Sequence, residues 1–221
     1  MPSNPELLTL PEAAVIARVS LRDVNRVIDE KILPERFYTL EGGRHLHAVA
    51  CPLIGFYFRA AKALTSEERG RLIQTLSDRI GPRMAHRPGG HWRKNSRPGD
   101  WTVRDGFLTV NLWEFATSAE DRHAKLAEAR EMVAEDPNIL GGTPVIRGTR
   151  IPVYDIAASV AAGLSPGRIR SAYPGLDDRT IELATIYAKA TPPRGRPKRA
   201  VTYAPEAHVI ARRRVVRRRH A

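Results

Sequence analysis

The chain holds one cysteine, Cys51, among 221 residues. A lone thiol cannot close an intramolecular disulfide, so a reducing, cytoplasmic setting is expected. Aromatic residues are scarce at 6%, which argues for small helical domains rather than one large core. No apolar run approaches the ~18 residues of a membrane span, and no apolar leader is recognisable, so neither secretion nor insertion is expected. Acid is in short supply. Twenty-four Asp and Glu face 36 Lys and Arg, a formal charge of +12 with pI near 10.5. That surplus makes polyanions the default partners, nucleic acid first and an acidic protein surface second.

Signatures of catalysis are missing as well. Gly141-Gly142…Gly148-Thr149 lacks the Lys of a phosphate-cradling loop. There is no Gly-x-Ser-x-Gly, no Cys–His pairing and no metalloprotease His-Glu spacing, and the carboxylates are scattered. His45 and His47 alternate on one expected strand, but no Cys/His cluster completes a metal site. The chain is therefore expected to be no enzyme and to need no cofactor or metal.

What is present centres on residues 136–153, Asp-Pro-Asn-Ile-Leu-Gly-Gly-Thr-Pro-Val-Ile-Arg-Gly-Thr-Arg-Ile-Pro-Val. Two short extended segments, Pro144–Arg147 and Thr149–Val153, flank Gly148, whose free φ suits a tight turn. Helices are expected over Tyr154–Ala162 closed by Gly163, Ser165–Ala172 stopped by Pro174, and Asp177–Ala190. A ribbon and three short helices suit a small tri-helical, homeodomain-like module. Arg147 and Arg150 flank its turn, either bonding carbonyls there or meeting a partner.

This run, with its Gly-Gly-Thr-Pro-Val-Ile-Arg-Gly-Thr-Arg-Ile-Pro-Val core and later Tyr173-Pro174-Gly175-Leu176, resembles the bacterial domain-of-unknown-function family 433. Members of that family are commonly antitoxins of the VapB type, partnered with a toxin ribonuclease of PIN-like fold. The resemblance implies that role; composition does not.

Near the N-terminus, Thr9 with Glu12 makes a capping box for one helix, and after a turn Ser20, with Asp23 at N3, caps a second. Leu21, Val24, Val27 and Ile28 are expected to face inward. Arg22, Asn25, Arg26 and Asp29 fall on one exposed face, and Asn and Arg can read adenine and guanine in a major groove. The alternative is an ordinary amphipathic helix with a solvated face. Arg36–Leu40 and Arg44–Ala48, joined by Glu41-Gly42-Gly43, then predict a β-hairpin whose Arg36, Arg44 and His45 grip phosphates. The pattern from Leu8 to Leu53 is similar to the winged helix-turn-helix of the MerR and excisionase families. Helices follow over Val49–Leu64 and Ser66–Ile80. The stripe Leu53, Phe56, Tyr57 and Ala60 serves either the core or a dimer seam.

Five segments result: a winged domain over 1–80, a basic Pro/Gly linker over 81–100, a hairpin plus helix over 101–135, the tri-helical module over 136–190, and a basic tail over 191–221. In the third, Asp105-Gly106 is the expected turn, Thr117 with Glu120 caps the helix, and Trp113 and Phe115 are expected to glue it to the module that follows. In the tail, Arg194-Gly195-Arg196 sits in a Pro-Arg-Gly-Arg-Pro that resembles the core of an AT-hook, where Gly lies on the floor of an A·T minor groove. The tail ends in Arg212, Arg213, Arg214, Val215, Val216, Arg217, Arg218 and Arg219.

The fold class expected is thus mainly α with short β-hairpins. The function expected is an antitoxin that represses its own operon as a homodimer on operator DNA and neutralises a PIN-like ribonuclease. Its rivals are a stand-alone transcription regulator and an excisionase-like architectural factor. If the toxin's metal-binding carboxylates receive the tail arginines, deleting Arg212–Ala221 abolishes neutralisation in a co-expression growth assay and leaves operator binding largely intact. Retained neutralisation contradicts this.

Overall fold

The computed structural model describes residues 7–84 and 97–193. Arg194-Gly195-Arg196, Arg212–Arg219 and most of the expected linker lie outside the described residues. Within them the chain is mainly helical, with three small antiparallel sheets.

The first elements are β1 (Leu7–Thr9), α1 (Leu10–Ala17), α2 (Leu21–Asp29), β2 (Tyr38–Thr39), β3 (His45–His47), α3 (Ala50–Arg59) and α4 (Ser66–Met84). The caps read from sequence operate here. The Thr9 N–H donates to the Glu12 carboxylate at 2.9 Å, and Ser20 Oγ accepts the Asp23 N–H at 3.1 Å. Between α1 and α2 the chain turns through Arg18, which is left-handed at φ 55, and the Val19 N–H returns to the Ala14 carbonyl at 3.1 Å. One element was not expected. Leu7–Thr9 is a strand, paired with β3 in the register Leu8↔Leu46, so the sheet runs β1-β3-β2. Its partner lies some forty residues away, and no local pattern announces such a pairing.

The hairpin also starts later than expected. Glu35–Phe37 forms a single 3-10 turn that buries Phe37, and β2 begins only at Tyr38. Arg36 therefore lies before the strand, not on it. Leu53, Phe56 and Tyr57 are buried in the core, which takes that stripe out of any dimer seam. Helix α4 continues to Met84, four residues into the expected linker.

The chain then forms β4 (Thr102–Asp105), β5 (Leu108–Asn111) and α5 (Trp113–Met132). Asp105 pairs with Leu108, so the loop residues are Gly106 and Phe107, one position beyond the expected pair. Helix α5 begins four residues before Thr117. Asn111 Oδ1 accepts the Trp113 N–H at 2.8 Å and starts the helix, while the Thr117 hydroxyl donates inside it to the Glu114 carbonyl. Phe115 meets Phe56 edge-on at 5.9 Å. It thus joins α5 to the preceding helices, not to the module that follows.

Last come β6 (Val133–Ala134), β7 (Val145–Ile146), α6 (Val153–Ala161), α7 (Pro166–Ala172) and α8 (Asp178–Ala190). The ribbon folds back around Gly148, at φ 77, with Ile146 N–H to Ile151 carbonyl and Val153 N–H to Pro144 carbonyl both at 3.0 Å. Strand β6 pairs with β7, Val133 opposite Ile146. Ser165 Oγ accepts the Arg168 N–H at 3.3 Å and Asp177 that of Thr180 at 2.7 Å.

Two cores result. One gathers Leu8, Ile16, Val24, Leu46, Leu53, Ile54, Leu76, Trp101, Leu112 and Leu126. The other gathers Ala129, Val133, Ile146, Val153, Ile156, Ile169, Ile181 and Tyr187. Helix α5 serves both, Leu126 in one and Ala129 in the next turn in the other. Helix α8 does the same, through Ala190 in the first. The hairpin and helix over 101–135 accordingly have no core of their own. Leu126 is 1% exposed, so Leu126→Ala is expected to cost about 2–5 kcal/mol. Chemical denaturation checks this, and a loss below about 1 kcal/mol on the same scale contradicts a shared, close-packed α5.

Candidate nucleic-acid interface

Charge is unevenly divided along the chain. The described residues carry twenty-three Lys and Arg against twenty-two Asp and Glu, close to neutral. Residues 194–221 carry ten Lys and Arg against Glu206 alone. Net charge therefore says little about the folded body, and its binding surface has to be found residue by residue.

Helix α2 turns its outer face to solvent. Arg22, Arg26 and Asp29 are exposed and Asn25 is half-buried. Leu21, expected inside, is 46% exposed. It is the first residue of the helix and overhangs the core that Val24, Val27 and Ile28 fill. Arg22 makes no hydrogen bond or ion pair among the described residues. Arg26 is held by Glu30 at 2.7 Å, which raises its pKa chiefly through that hydrogen bond. Asn25 donates Nδ2–H to the Leu21 carbonyl at 2.9 Å and accepts from Arg44 at 3.1 Å. Ser20 is spent on its cap.

The hairpin reaches the same helix. Arg44, just before β3, bridges to Asp29 at 2.9 Å as well as to Asn25. These links orient the hairpin on α2, although exposed pairs of this kind contribute only ~0–1 kcal/mol. His45 is half-buried on β3, with Nδ1 3.2 Å from the Gly43 carbonyl. Arg36 is elsewhere. It pairs with Asp78 of α4 at 2.5 Å, an interaction that holds the Asp78 carboxyl below its usual range. The expected phosphate grip therefore gathers Arg44 and His45 with Arg22, Asn25 and Arg26, and leaves Arg36 out.

Helix α8 offers no comparable face. It is the third helix of its module, yet α6 covers one side of it while α5 and α1 cover others. Its Arg179 is taken by Glu128 and Glu182, and Glu182 also pairs with Lys125 of α5. These cations hold the Glu182 carboxyl below its usual range, Lys125 first. A helix enclosed this way cannot enter a groove without breaking the second core.

Arg147 is likewise committed. Its Nε–H donates to the Glu131 carbonyl at 2.8 Å and a terminal N–H to Val133 at 3.0 Å, closing carbonyls at the end of α5. Arg150 is exposed and has no partner among the described residues. A group sequence reading missed lies at the end of α1. Arg122 of α5 donates to the Ile16 carbonyl and to Ser118, and Arg18 and Arg59 lie near it. Their spacings of forty-one and sixty-three residues carry no signal. Among the described residues, no group of three His, Cys, Asp or Glu is placed to hold a metal, and no helix is long and apolar enough to cross a membrane.

Comparisons with known proteins add the following. The family described as protein of unknown function (DUF433) matches residues 133–188, the ribbon and three helices of the second core. A protein of Sinorhizobium fredii (strain NBRC 101917 / NGR234), titled uncharacterized protein y4eO, is 54% identical over 220 residues, covering 99% of this chain and 97% of that one. No solved structure matches.

The Arg147 fork yields a direct test. Arg147→Ala strips the Glu131 and Val133 carbonyls of a charged donor and is expected to cost about 1–3 kcal/mol, read from the denaturation midpoint. Arg147→Lys, with a single ammonium in place of the planar fork, recovers only part of it. An unchanged midpoint in the alanine variant contradicts the structural role.

Proposed function

The chain belongs to the family of the Sinorhizobium fredii protein y4eO, and from its fold and charge we propose that it is a DNA-binding antitoxin. In this reading residues 7–53 act as a winged helix-turn-helix, with α1 and α2 as the helix pair and the β2–β3 hairpin as the wing. The chain represses its own operon as a homodimer and neutralises a PIN-like ribonuclease with its C-terminal part and basic tail.

One observation carries the DNA-binding half: α2 leaves Arg22, Asn25 and Arg26 on a solvent face, while α8 is enclosed by α6, α5 and α1. A recognition helix must lie in the major groove with side chains near its N-terminus on the base edges. Of these two helices, α2 is free to do so and α8 is not. Arg44 supports the wing, because it ties the hairpin to Asn25 and Asp29. To reach a base, Asn25 has to exchange its Arg44 contact for the base edge, and Arg44 then becomes available for a phosphate.

The antitoxin half rests on the likeness of residues 133–188 to DUF433 and on the ten Lys and Arg of residues 194–221. A second reading, a stand-alone regulator without a toxin, is favoured by one fact. Arg147, expected either to bond carbonyls or to meet a partner, is bound to the Glu131 and Val133 carbonyls. Arg150 remains exposed to meet a partner.

Selection of a duplex from a random-sequence pool, followed by binding of variants, tests the first half. Arg22→Ala is expected to cost about 1–3 kcal/mol on the selected site and to relax preference at one base pair. Equal binding by wild type and variant to every sequence sinks base reading by α2. Co-expression with the product of the neighbouring gene tests the second half. Relief of growth arrest and co-purification are expected, and their failure leaves the stand-alone regulator.

A further inference from the structure

Three arginines from three places in the chain meet at the C-terminal end of α1, and no role described so far uses them as a group. Arg122 of α5 spends its Nε–H on the Ile16 carbonyl and one terminal N–H on Ser118 Oγ. The other N–H groups of its guanidinium are left over. Helix α3 approaches the same point. A Cβ on Gly55 would stand 3.0 Å from the Ala17 carbonyl oxygen and 3.6 Å from the Phe115 ring. One turn further along that face, the Arg59 guanidinium lies 4.9 Å from the centre of the Phe115 ring. Arg18 completes the group from the turn that ends α1.

Arg18 is left-handed, at φ 55, where a side chain costs roughly 1–2 kcal/mol and glycine nothing. An exposed arginine kept in that conformation points to a use for its side chain. The electrostatics agree. Arg122 is half-buried and pushed down to about 10, by burial first and by the field of Arg18 next, with Arg59 adding to it. Two groups act in the opposite sense, Cys51 and, most weakly, Asp121. Cys51 is itself a buried thiol pushed up to about 12, so it supplies no charge near neutral pH. None of the three arginines makes an ion pair among the described residues. Two cations beside a half-buried guanidinium, none of the three in an ion pair, lack a counter-ion, and planar N–H forks match the oxygens of a phosphate.

We propose that Arg18, Arg59 and Arg122 form a phosphate clamp whose natural ligand is a backbone phosphodiester of DNA, beside the groove that α2 enters. The phosphate chemistry stands on these contacts alone, and its DNA source rests on the reading of α2 given above. Arg18 precedes the Ser20 cap by two residues and Arg22 by four. The clamp thus lies at the N-terminal end of α2, the end that meets base edges. A phosphate held there fixes the position and register of the helix without reading sequence.

The test uses the full chain, wild type, Arg18→Gly and Arg59→Gln, with Arg104→Gln on β4 as the control. Arg122 is spared because its loss orphans the Ile16 carbonyl. Thermal denaturation is followed with and without inorganic phosphate at constant ionic strength. Arginines of residues 194–221 are common to all variants, so differences between variants report the clamp. The phosphate-dependent rise in Tm is expected to shrink in both clamp variants and to persist in the control. Without phosphate, Arg18→Gly melts higher than wild type, an opposite pair of effects that a purely structural arginine does not give. On duplex DNA, the slope of log K against log salt falls by about 1 in each clamp variant.

A lost phosphate response with an unchanged DNA slope overturns the DNA source and assigns the clamp to a free phosphorylated species. Wild type that responds to phosphate but ignores duplex DNA overturns the DNA-binding reading while the clamp stands. Unchanged responses to both in both variants overturn the clamp itself.

Discussion

The packing of α5 against both cores is the constraint on which the rest of the structure depends. Its twenty residues place Ala116, Ala119 and Leu126 in the first core and Ala129 in the second. The following strand, Val133–Ala134, then gives β7 its pairing edge. Because α8 packs on α5 and α1 as well as on α6, the C-terminal helices are set into the body and are no bead on a linker. Three ion pairs lie along the seam: Arg130 with the mostly buried Glu12 of α1, and Lys125 with Glu182 and Glu128 with Arg179 between α5 and α8. Burial of the apolar faces, at about 1.5–3 kcal/mol per large side chain, outweighs such partly exposed pairs.

From that constraint the functional asymmetry follows. The chain contains two helical units, and the first keeps the outer face of α2 in water. In the other the corresponding helix is a structural strut, and its charged residues Arg179 and Glu182 are bonded across to α5. Positive charge is segregated in a similar way. The described body is nearly neutral, and the surplus resides in residues 85–96 and 194–221. Local arrangement, as at Arg18, Arg59 and Arg122, then matters more to the body than its total charge.

Sequence legibility tracked range. Caps and stops were legible because they are set within one turn: Ser20 with Asp23, Ser165 before Pro166, and Gly163 at φ 82 after α6. Features made by distant partners were not. Leu7–Thr9 became a strand only because His45–His47 lies beside it. Thr117 and Glu120 have the spacing of a cap, yet Asn111 starts the helix earlier. Of the candidate site, the α2 face was visible as a helical stripe. The diversion of Arg36 to Asp78 was not; nor, although carbonyl bonding by Arg147 was one of its two expected roles, was the choice of the Glu131 and Val133 carbonyls, since these partners come from other elements. The three-arginine cluster left no trace in spacing at all.

Hydrogen–deuterium exchange of the full chain, with and without a duplex it selects, tests the central asymmetry most directly. The account predicts new protection over residues 21–30 and 38–47 on DNA binding, and no change over residues 178–190, which are slow to exchange in the free protein. Protection gained over residues 178–190, or fast exchange there before DNA is added, would mean that α8 is not enclosed and would contradict it.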